Sequence, residues 1–134
     1  MSKFILGHRS VQRLLTVHPD LVRVVHRAIE LTEVDFTVLE TLRTVERQKE
    51  LVKAGASQTM NSRHLPGKDG LARAVDLGAY IAGEVRWDWP LYHKIAAAMK
   101  QAAKECNVPI EWGGDWKSFK DGPHFQLPHK EYPA

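Results

Sequence analysis

Two histidines and an aspartate in the second half of the chain have the character of a metal site. His64 sits in Ser62-Arg63-His64-Leu65-Pro66-Gly67, Asp76 in Ala74-Val75-Asp76-Leu77-Gly78, and His124 in Asp121-Gly122-Pro123-His124-Phe125. Two imidazoles and one carboxylate suit a Zn²⁺ that keeps a position open for water, the catalytic rather than the structural arrangement. Asp121 lies three residues before His124, across a Gly-Pro bend. A carboxylate there can take the proton of a water attacking a carbonyl. Arg43 follows a predicted strand, where its guanidinium could clamp a substrate carboxylate or steady an oxyanion. By position alone, an ordinary surface charge beside a helix start is an equal reading of Arg43.

Asp76 is the least comfortable of these residues. Its neighbours are Ala74, Val75, Leu77, Gly78 and Ala79, and an ionised carboxylate among them is costly unless paired or metal-bound. A buried ion pair, for which an arginine is one candidate partner, is the competing reading. Other candidates lose on context. His18, His26 and His93 lie on or beside predicted helices as surface or packing residues. His129, in the tail, is at most a local proton acceptor. Asp115, between Gly114 and Trp116, is expected to cap a turn rather than orient a ligand. Trp87, Trp89, Trp112 and Trp116 are expected in the core or in groove walls.

The elements that must carry these residues are legible from periodicity. Pro19 to Leu31 reads as an amphipathic helix, with Leu21, Val24, Val25, Ala28 and Ile29 on one face. A shorter helix precedes it around Ser10 to Thr16. Asp35 to Thr41 is rich in strand formers. Thr44 can cap a helix running to about Ala54, with Gly55 as its stop. Ala56 to Asp69 reads as a long polar loop, and such loops are often functional. Arg73 to Ile81 is a nearly continuous apolar strand, and Glu84 to Trp87 can pair back on it through a turn at Gly83. Trp87-Asp88-Trp89-Pro90 resembles a helix start, and the helix runs from Pro90 to Lys104 with Leu91, Ile95, Ala98, Met99 and Ala102 on one face. Short strands follow at Ile110–Trp112 and His124–Leu127, separated by a loop. In the last of these, Phe125 and Leu127 point one way and His124 and Gln126 the other. The pattern predicts an α+β fold with an antiparallel sheet.

Composition bounds the rest. The chain of 134 residues reads as one domain, 1–134, with a tail from about 128. Its 19 basic and 16 acidic residues give a net charge of +3. The basic residues are scattered, with no dense stripe or reader motif, so no nucleic-acid partner is expected. Weak attraction to an anionic polymer such as a cell wall is consistent with that charge. Cys106 is alone, which excludes an internal disulfide and a cysteine-based zinc site. No stretch approaches the length of a membrane span. The N-terminal apolar run is too short for a signal peptide, so synthesis and folding in a cytoplasm are expected. Nothing points beyond a monomer.

Ser62-x-His64-x-x-Gly67, Ala74-x-Asp76 and Asp121-x-x-His124 together resemble the zinc peptidases of the VanY / D-alanyl-D-alanine carboxypeptidase family. Within it, the small size, Gly113-Gly114-Asp115-Trp116 and an aspartate at the base position resemble phage endolysins that are L-alanyl-D-glutamate peptidases. The likeness spans about Ser10 to Leu127. It implies a small antiparallel sheet with helices packed on one side, Hedgehog/DD-peptidase-like. It implies that His64, Asp76 and His124 bind Zn²⁺, that Asp121 is the general base, and that Arg43 stabilises the transition state. It further implies cleavage of the L-Ala–D-Glu bond of the peptidoglycan stem peptide. The lysin would wait in the host cytoplasm and reach the wall through a membrane pore.

In one place the spacing departs from the family. Lys68 to Arg73 stand between Gly67 and Ala74 where one residue is usual, an insertion of five. A surface loop of that size is cheap in entropy, and Asp69 within it is expected to be solvated rather than a ligand. Two other functions fit the same residues: a D-Ala-D-Ala carboxypeptidase or dipeptidase, and a non-catalytic wall- or nucleic-acid-binding module on the same fold.

Overall fold

Helix α2 (Pro19–Leu31) and helix α4 (Trp89–Cys106) cover one face of a five-stranded antiparallel sheet. The structure, a computed structural model, describes residues 4–57, 62–118 and 120–133. Met1 to Lys3 and residues 58–61 of the expected Ala56–Asp69 loop lie outside the described residues. The remaining elements are α1 (His8–Leu14), β1 (Phe36–Glu40), α3 (Val45–Lys53), β2 (Ala74–Ile81), β3 (Glu84–Arg86), β4 (Glu111–Trp112) and β5 (His124–Gln126). The sheet order is β1-β2-β5-β4, with β3 pairing β2 at its far end. This is the α+β, antiparallel architecture that the sequence pattern predicts.

The core forms where the periodicity places it. All five apolar residues of the α2 face are buried, as are Ile95, Ala98, Met99 and Ala102 of α4. Leu91 is only partly covered, and Tyr92 takes its place, donating its hydroxyl to the Arg86 carbonyl at 2.6 Å. Val75, Leu77, Ala79 and Phe125 complete the core from the sheet side. Each buried Val, Leu, Ile, Phe or Met among them contributes about 1.5–3 kcal/mol. The other sheet face carries the polar residues, because successive side chains of a strand alternate.

Two features of the sheet matter for the site. Asp76 and His124 are direct partners across the antiparallel β2–β5 pair. Opposed residues share a face with Cβ atoms about 4.5–5.5 Å apart, so the register alone brings these two ligand types together. The second feature is a β-bulge in β1. Val38 pairs with Leu77 and Glu40 with Asp76, so β1 advances two residues while β2 advances one. Without it, alternation would aim Glu40 into the core beside Phe36 and Val38. The bulge turns Glu40 to the polar face, next to Asp76.

β1 is an edge strand, and α1 covers its open side. Ser10 Oγ accepts the Val38 N–H at 2.9 Å, and Arg13 donates to the Val38 carbonyl at 2.8 Å. Side-chain groups thus satisfy backbone that would otherwise offer a template for pairing. At the other end of the chain, the tail folds back: Tyr132 donates to Asp20 at 2.7 Å, and Arg63 binds the Leu127 and Tyr132 carbonyls.

Candidate metal centre

His64, Asp76 and His124 converge on one point. His64 Nε2 and His124 Nδ1 each lie 3.2 Å from Asp76 Oδ1, and the three ligand atoms all fall within 4.8 Å of one another. A tetrahedral ion with ligand bonds of about 2.0–2.1 Å has ligand–ligand edges of about 3.3 Å, so the spacing fits. Of the competing reading of Asp76, a buried ion pair, the partners among the described residues are the two imidazoles rather than an arginine.

The outer nitrogen of each imidazole identifies the tautomer. His64 Nδ1 lies 2.7 Å from the Thr41 carbonyl. A carbonyl only accepts, so Nδ1 carries the hydrogen and Nε2 presents a lone pair. His124 Nε2 lies 2.8 Å from Gln126 Oε1, which likewise places the hydrogen on Nε2 and a lone pair on Nδ1. Two imidazole lone pairs and a carboxylate oxygen therefore face each other in a largely buried spot, with His64 only 2% exposed. Only a cation between them, proton or metal, makes that arrangement attractive. Ligand histidines characteristically donate their other N–H in this way. The donor set fits Zn²⁺.

A proton on a facing nitrogen can take the cation's part. Burial penalises the Asp76 charge, but hydrogen bonds that such protonated imidazoles donate, from His124 and His64, outweigh it and hold the carboxyl well below the usual range. Burial disfavours charging His124, yet the Asp76 contact overcomes this and raises its pKa. Asp121 is shifted upward, first by burial and then by the neighbouring Asp76 charge. A carboxyl lifted in this way is a better proton acceptor at neutral pH.

Different elements position each group. Asp76 and His124 are fixed by the sheet. His64 stands in the segment before β2, where its N–H donates to Ser62 Oγ at 3.1 Å and its carbonyl accepts from the Arg43 N–H at 2.8 Å. Asp121 joins the cleft through its backbone: its N–H donates to the Gly113 carbonyl at 3.1 Å, and its carbonyl accepts from the His124 N–H at 3.2 Å. Gly113 is required there, because a Cβ on it would lie 2.3 Å from the Asp121 carbonyl oxygen. Trp116 packs its ring against His124, centroids 5.1 Å apart. His64, Asp76, His124, Asp121 and Trp116 all line one cleft of about 680 Å³.

Arg43 also lines that cleft, but not as a surface charge: its side chain is 9% exposed. The guanidinium makes a two-pronged contact with Glu40, both bonds 2.8 Å, and donates to Gln48 Oε1 at 2.7 Å. Its position is therefore rigid, and Glu40 offsets its charge. The sequence reading missed Glu40 as a site residue because the bulge that turns it into the cleft leaves no mark in the strand pattern. It also missed the roles of Gln126 and Thr41. The alternation of β5 was the available signal for Gln126, since it shares a face with His124.

The remaining candidates fall elsewhere. His18 caps α2, accepting the Asp20 N–H at 3.1 Å. His93 packs on Trp112 and Trp89, and Asp115 pairs with Lys100 at 2.8 Å. His129 lines the cleft and lies 3.3 Å from Arg63. Asp69 is exposed as expected, but it is not merely solvated: it grips Arg73 with both oxygens, at 2.7 and 3.2 Å. Trp112 is buried and Trp116 is a cleft wall, whereas Trp87 and Trp89 are 61% and 44% exposed. These two sit at the outer start of α4, where Trp87 stacks on Tyr92 rather than entering the core. Cys106 is half-buried and free, packed against the core from the last turn of α4.

A constellation of two imidazoles and a carboxylate beside a lifted carboxyl, on a small α+β fold, defines a candidate metallohydrolase. Comparison with known proteins makes the class specific. The family model of phage L-alanyl-D-glutamate peptidases matches residues 1–127. The L-alanyl-D-glutamate peptidase of Escherichia phage T5 is 33% identical over 122 residues, covering 88% of this chain and 85% of that protein. The enzyme of that name from Listeria phage A118 is 39% identical over 103 residues, which is 77% of this chain but 34% of that longer protein. The crystal structure of the Serratia marcescens L-Ala D-Glu endopeptidase ChiX superposes with a TM-score of 0.88 at 49% identity, covering 98% of this chain and 96% of that one. The chain belongs to the phage L-alanyl-D-glutamate peptidase family.

Proposed function

We propose that this protein is a zinc-dependent peptidoglycan endopeptidase that hydrolyses the L-Ala–D-Glu bond of the stem peptide, with residues 1–134 acting as one catalytic unit and a monomer. The observation that carries the reading is the pair of fixed tautomers, which turns the lone pairs of His64 and His124 onto Asp76 and leaves a cation as their natural partner. A Zn²⁺ held by these three residues would polarise a carbonyl and bring a water's pKa to about 7.

The chain's own groups supply the rest. Asp121, its pKa raised by burial, accepts a proton from the attacking water and returns it to the leaving amine. Arg43, immobilised by Glu40 and Gln48, faces the developing oxyanion with a donor array that needs no reorganisation. Trp116 forms a wall of the cleft beside His124. The family's names support the bond assigned, and a net charge of +3 suits an anionic wall. The protein acts on the wall from the periplasmic side after release through a membrane pore, and so lyses the host. Among the described residues no helix is long and apolar enough to cross a membrane.

Mass spectrometry of purified peptidoglycan digested by zinc-loaded and by chelated protein tests this. New amino termini on D-Glu, with D-Ala ends intact and only in the metal-loaded sample, are expected. Release of free D-alanine instead would reassign the enzyme to the carboxypeptidase or dipeptidase reading. Asp121→Ala should lower kcat by about 10²–10⁴-fold while zinc binding by calorimetry stays unchanged. A variant that keeps full function would point to the non-catalytic wall-binding module.

A further inference from the structure

The two histidines obtain their tautomers by different means. For His64 the acceptor is a backbone carbonyl, Thr41, which no substitution of residue type removes. For His124 the acceptor is the side-chain amide of Gln126, and an amide can turn over. Carbonyl oxygen and amine nitrogen are nearly the same size, so a free amide could offer His124 either group. If the NH₂ faced Nε2, the imidazole would have to carry its hydrogen on Nδ1. That would put a hydrogen where a metal ligand needs a lone pair.

A second residue decides the matter. Gln126 Nε2 lies 3.2 Å from Glu111 Oε1. Glu111 and Gln126 are register partners in the antiparallel β4–β5 pair, so the contact is built into the sheet. A carboxylate only accepts. It therefore captures the NH₂ end of the amide and leaves Oε1 facing His124. The order Glu111, Gln126, His124 then runs in one direction only: carboxylate, amide N–H, amide carbonyl, imidazole N–H, imidazole lone pair. Gln126 is 9% exposed and Glu111 is exposed at the sheet edge. The solvent-side charge thus sets the orientation of a group in the interior.

We propose that Gln126, oriented by Glu111, is a positioning residue that fixes the tautomer of His124 and so presents Nδ1 to the metal. The inference rests on the reading of His64, Asp76 and His124 as metal ligands. It assigns no contact with substrate to either residue.

The experiment uses the full chain with Gln126→Met, Glu111→Gln and the exchange pair Glu111→Gln/Gln126→Glu. Zn²⁺ affinity is read by competition with a chromophoric chelator. The tautomer of His124 is read from imidazole ¹⁵N shifts of the metal-free and zinc-loaded protein at alkaline pH, where the ring is neutral. Loss of such an outer partner typically weakens metal binding about 10–100-fold. Gln126→Met should therefore lose about that much, and the metal-free protein should show a mixture of His124 tautomers. Glu111→Gln, a surface change that leaves the fold intact, should lose less, up to about tenfold. It should also show the same tautomer mixture, because an amide at 111 can face Gln126 with either end. In the exchange pair, a carboxylate at 126 accepts from His124 and the new amide at 111 donates to it, so affinity and tautomer should return. A purely structural role would alter the melting temperature without moving the ¹⁵N shifts. Unchanged affinity and a single His124 tautomer in Glu111→Gln would overturn the inference while the ligand assignment stands. Wild-type protein that binds no zinc in the competition assay would instead overturn the ligand assignment, and this inference with it.

Discussion

The candidate metal centre has a sheet half and a loop half. Asp76 and His124 are paired rungs of one antiparallel ladder. Their separation follows from register, and slipping it by a residue would bury the polar groups and expose Val75 and Phe125. The core therefore enforces the geometry of these two ligands. His64 has no ladder. It is held by its own hydrogen bonds to Thr41, Ser62 and Arg43, and by Arg73, whose N–H donates to the Arg63 carbonyl at 2.8 Å. The difference shows two ways of placing a ligand to fractions of an ångström. One uses the stability of the whole fold, and the other uses a handful of local contacts that can be removed singly.

The strongest break comes from the sheet half. In wild-type protein, zinc at a hundredfold excess over its Kd should add about 2.7 kcal/mol of stability. That is a melting-temperature rise on the order of 10 °C. Asp76→Ala should abolish that rise and the activity together, and differential scanning calorimetry with and without chelator checks it. A zinc-dependent rise that survives in the variant would show that Asp76 is not a ligand.

Gly113→Ala comes next. Its new Cβ would overlap the Asp121 carbonyl oxygen at 2.3 Å, and relieving an overpacked contact costs about 1–3 kcal/mol. The base shifts while the ligands stay, so kcat should fall at least about tenfold with zinc affinity nearly constant. Parallel turnover assays and calorimetry separate the two effects. Equal losses in both would mean that the Asp121 segment and the ligands move as one.

The loop half should yield to smaller changes. Ser62→Ala removes the acceptor of the His64 N–H, a bond contributing about 0.5–1.5 kcal/mol. Zinc affinity should drop several-fold, with the melting temperature of the metal-free protein lowered by no more than a few degrees. No change in affinity would show that the Thr41 contact alone suffices.

The smallest effect is a pH dependence in the inserted segment. Arg73 beside Asp69, with the Leu71 N–H, holds the Asp69 carboxyl down to about 2, against an ordinary 3.8. A carboxyl depressed in the folded state stabilises above the ordinary value, and that contribution is lost as pH falls through about 2. The Leu71 amide resonance, whose N–H donates to Asp69 at 3.0 Å, should therefore shift as the pH is lowered from 4 to 2. Asp69→Asn should abolish the shift. A Leu71 titration persisting in that variant would place its cause elsewhere.

Much of this was legible beforehand, for identifiable reasons. Helix α2 declares itself by the spacing of Leu21, Val24, Val25, Ala28 and Ile29, because a 3.6-residue period can bury only one face. Thr44 accepts the Arg47 N–H as the capping pattern predicts. Asp76 betrays itself as a charge in an apolar strand. Other features left no local signal. The bulge that swings Glu40 into the cleft depends on how β1 meets β2. The exposure of Trp87 and Trp89 depends on what lies beyond the start of α4. The grip of Asp69 on Arg73 depends on how the insertion folds over Gly67, where a Cβ would lie 2.4 Å from the Arg73 guanidinium.

The amino-acid sequence by itself marked the three candidate ligands and the proposed base, the α+β class, and which faces are apolar, since residue type and period are local properties. Only the tertiary structure decided which nitrogen of each imidazole turns inward, that Arg43 is locked by Glu40 and Gln48, and that an exposed glutamate orients a buried amide. Those outcomes are set by hydrogen-bond partners distant along the chain, and such partners exist only once the strands have found their register.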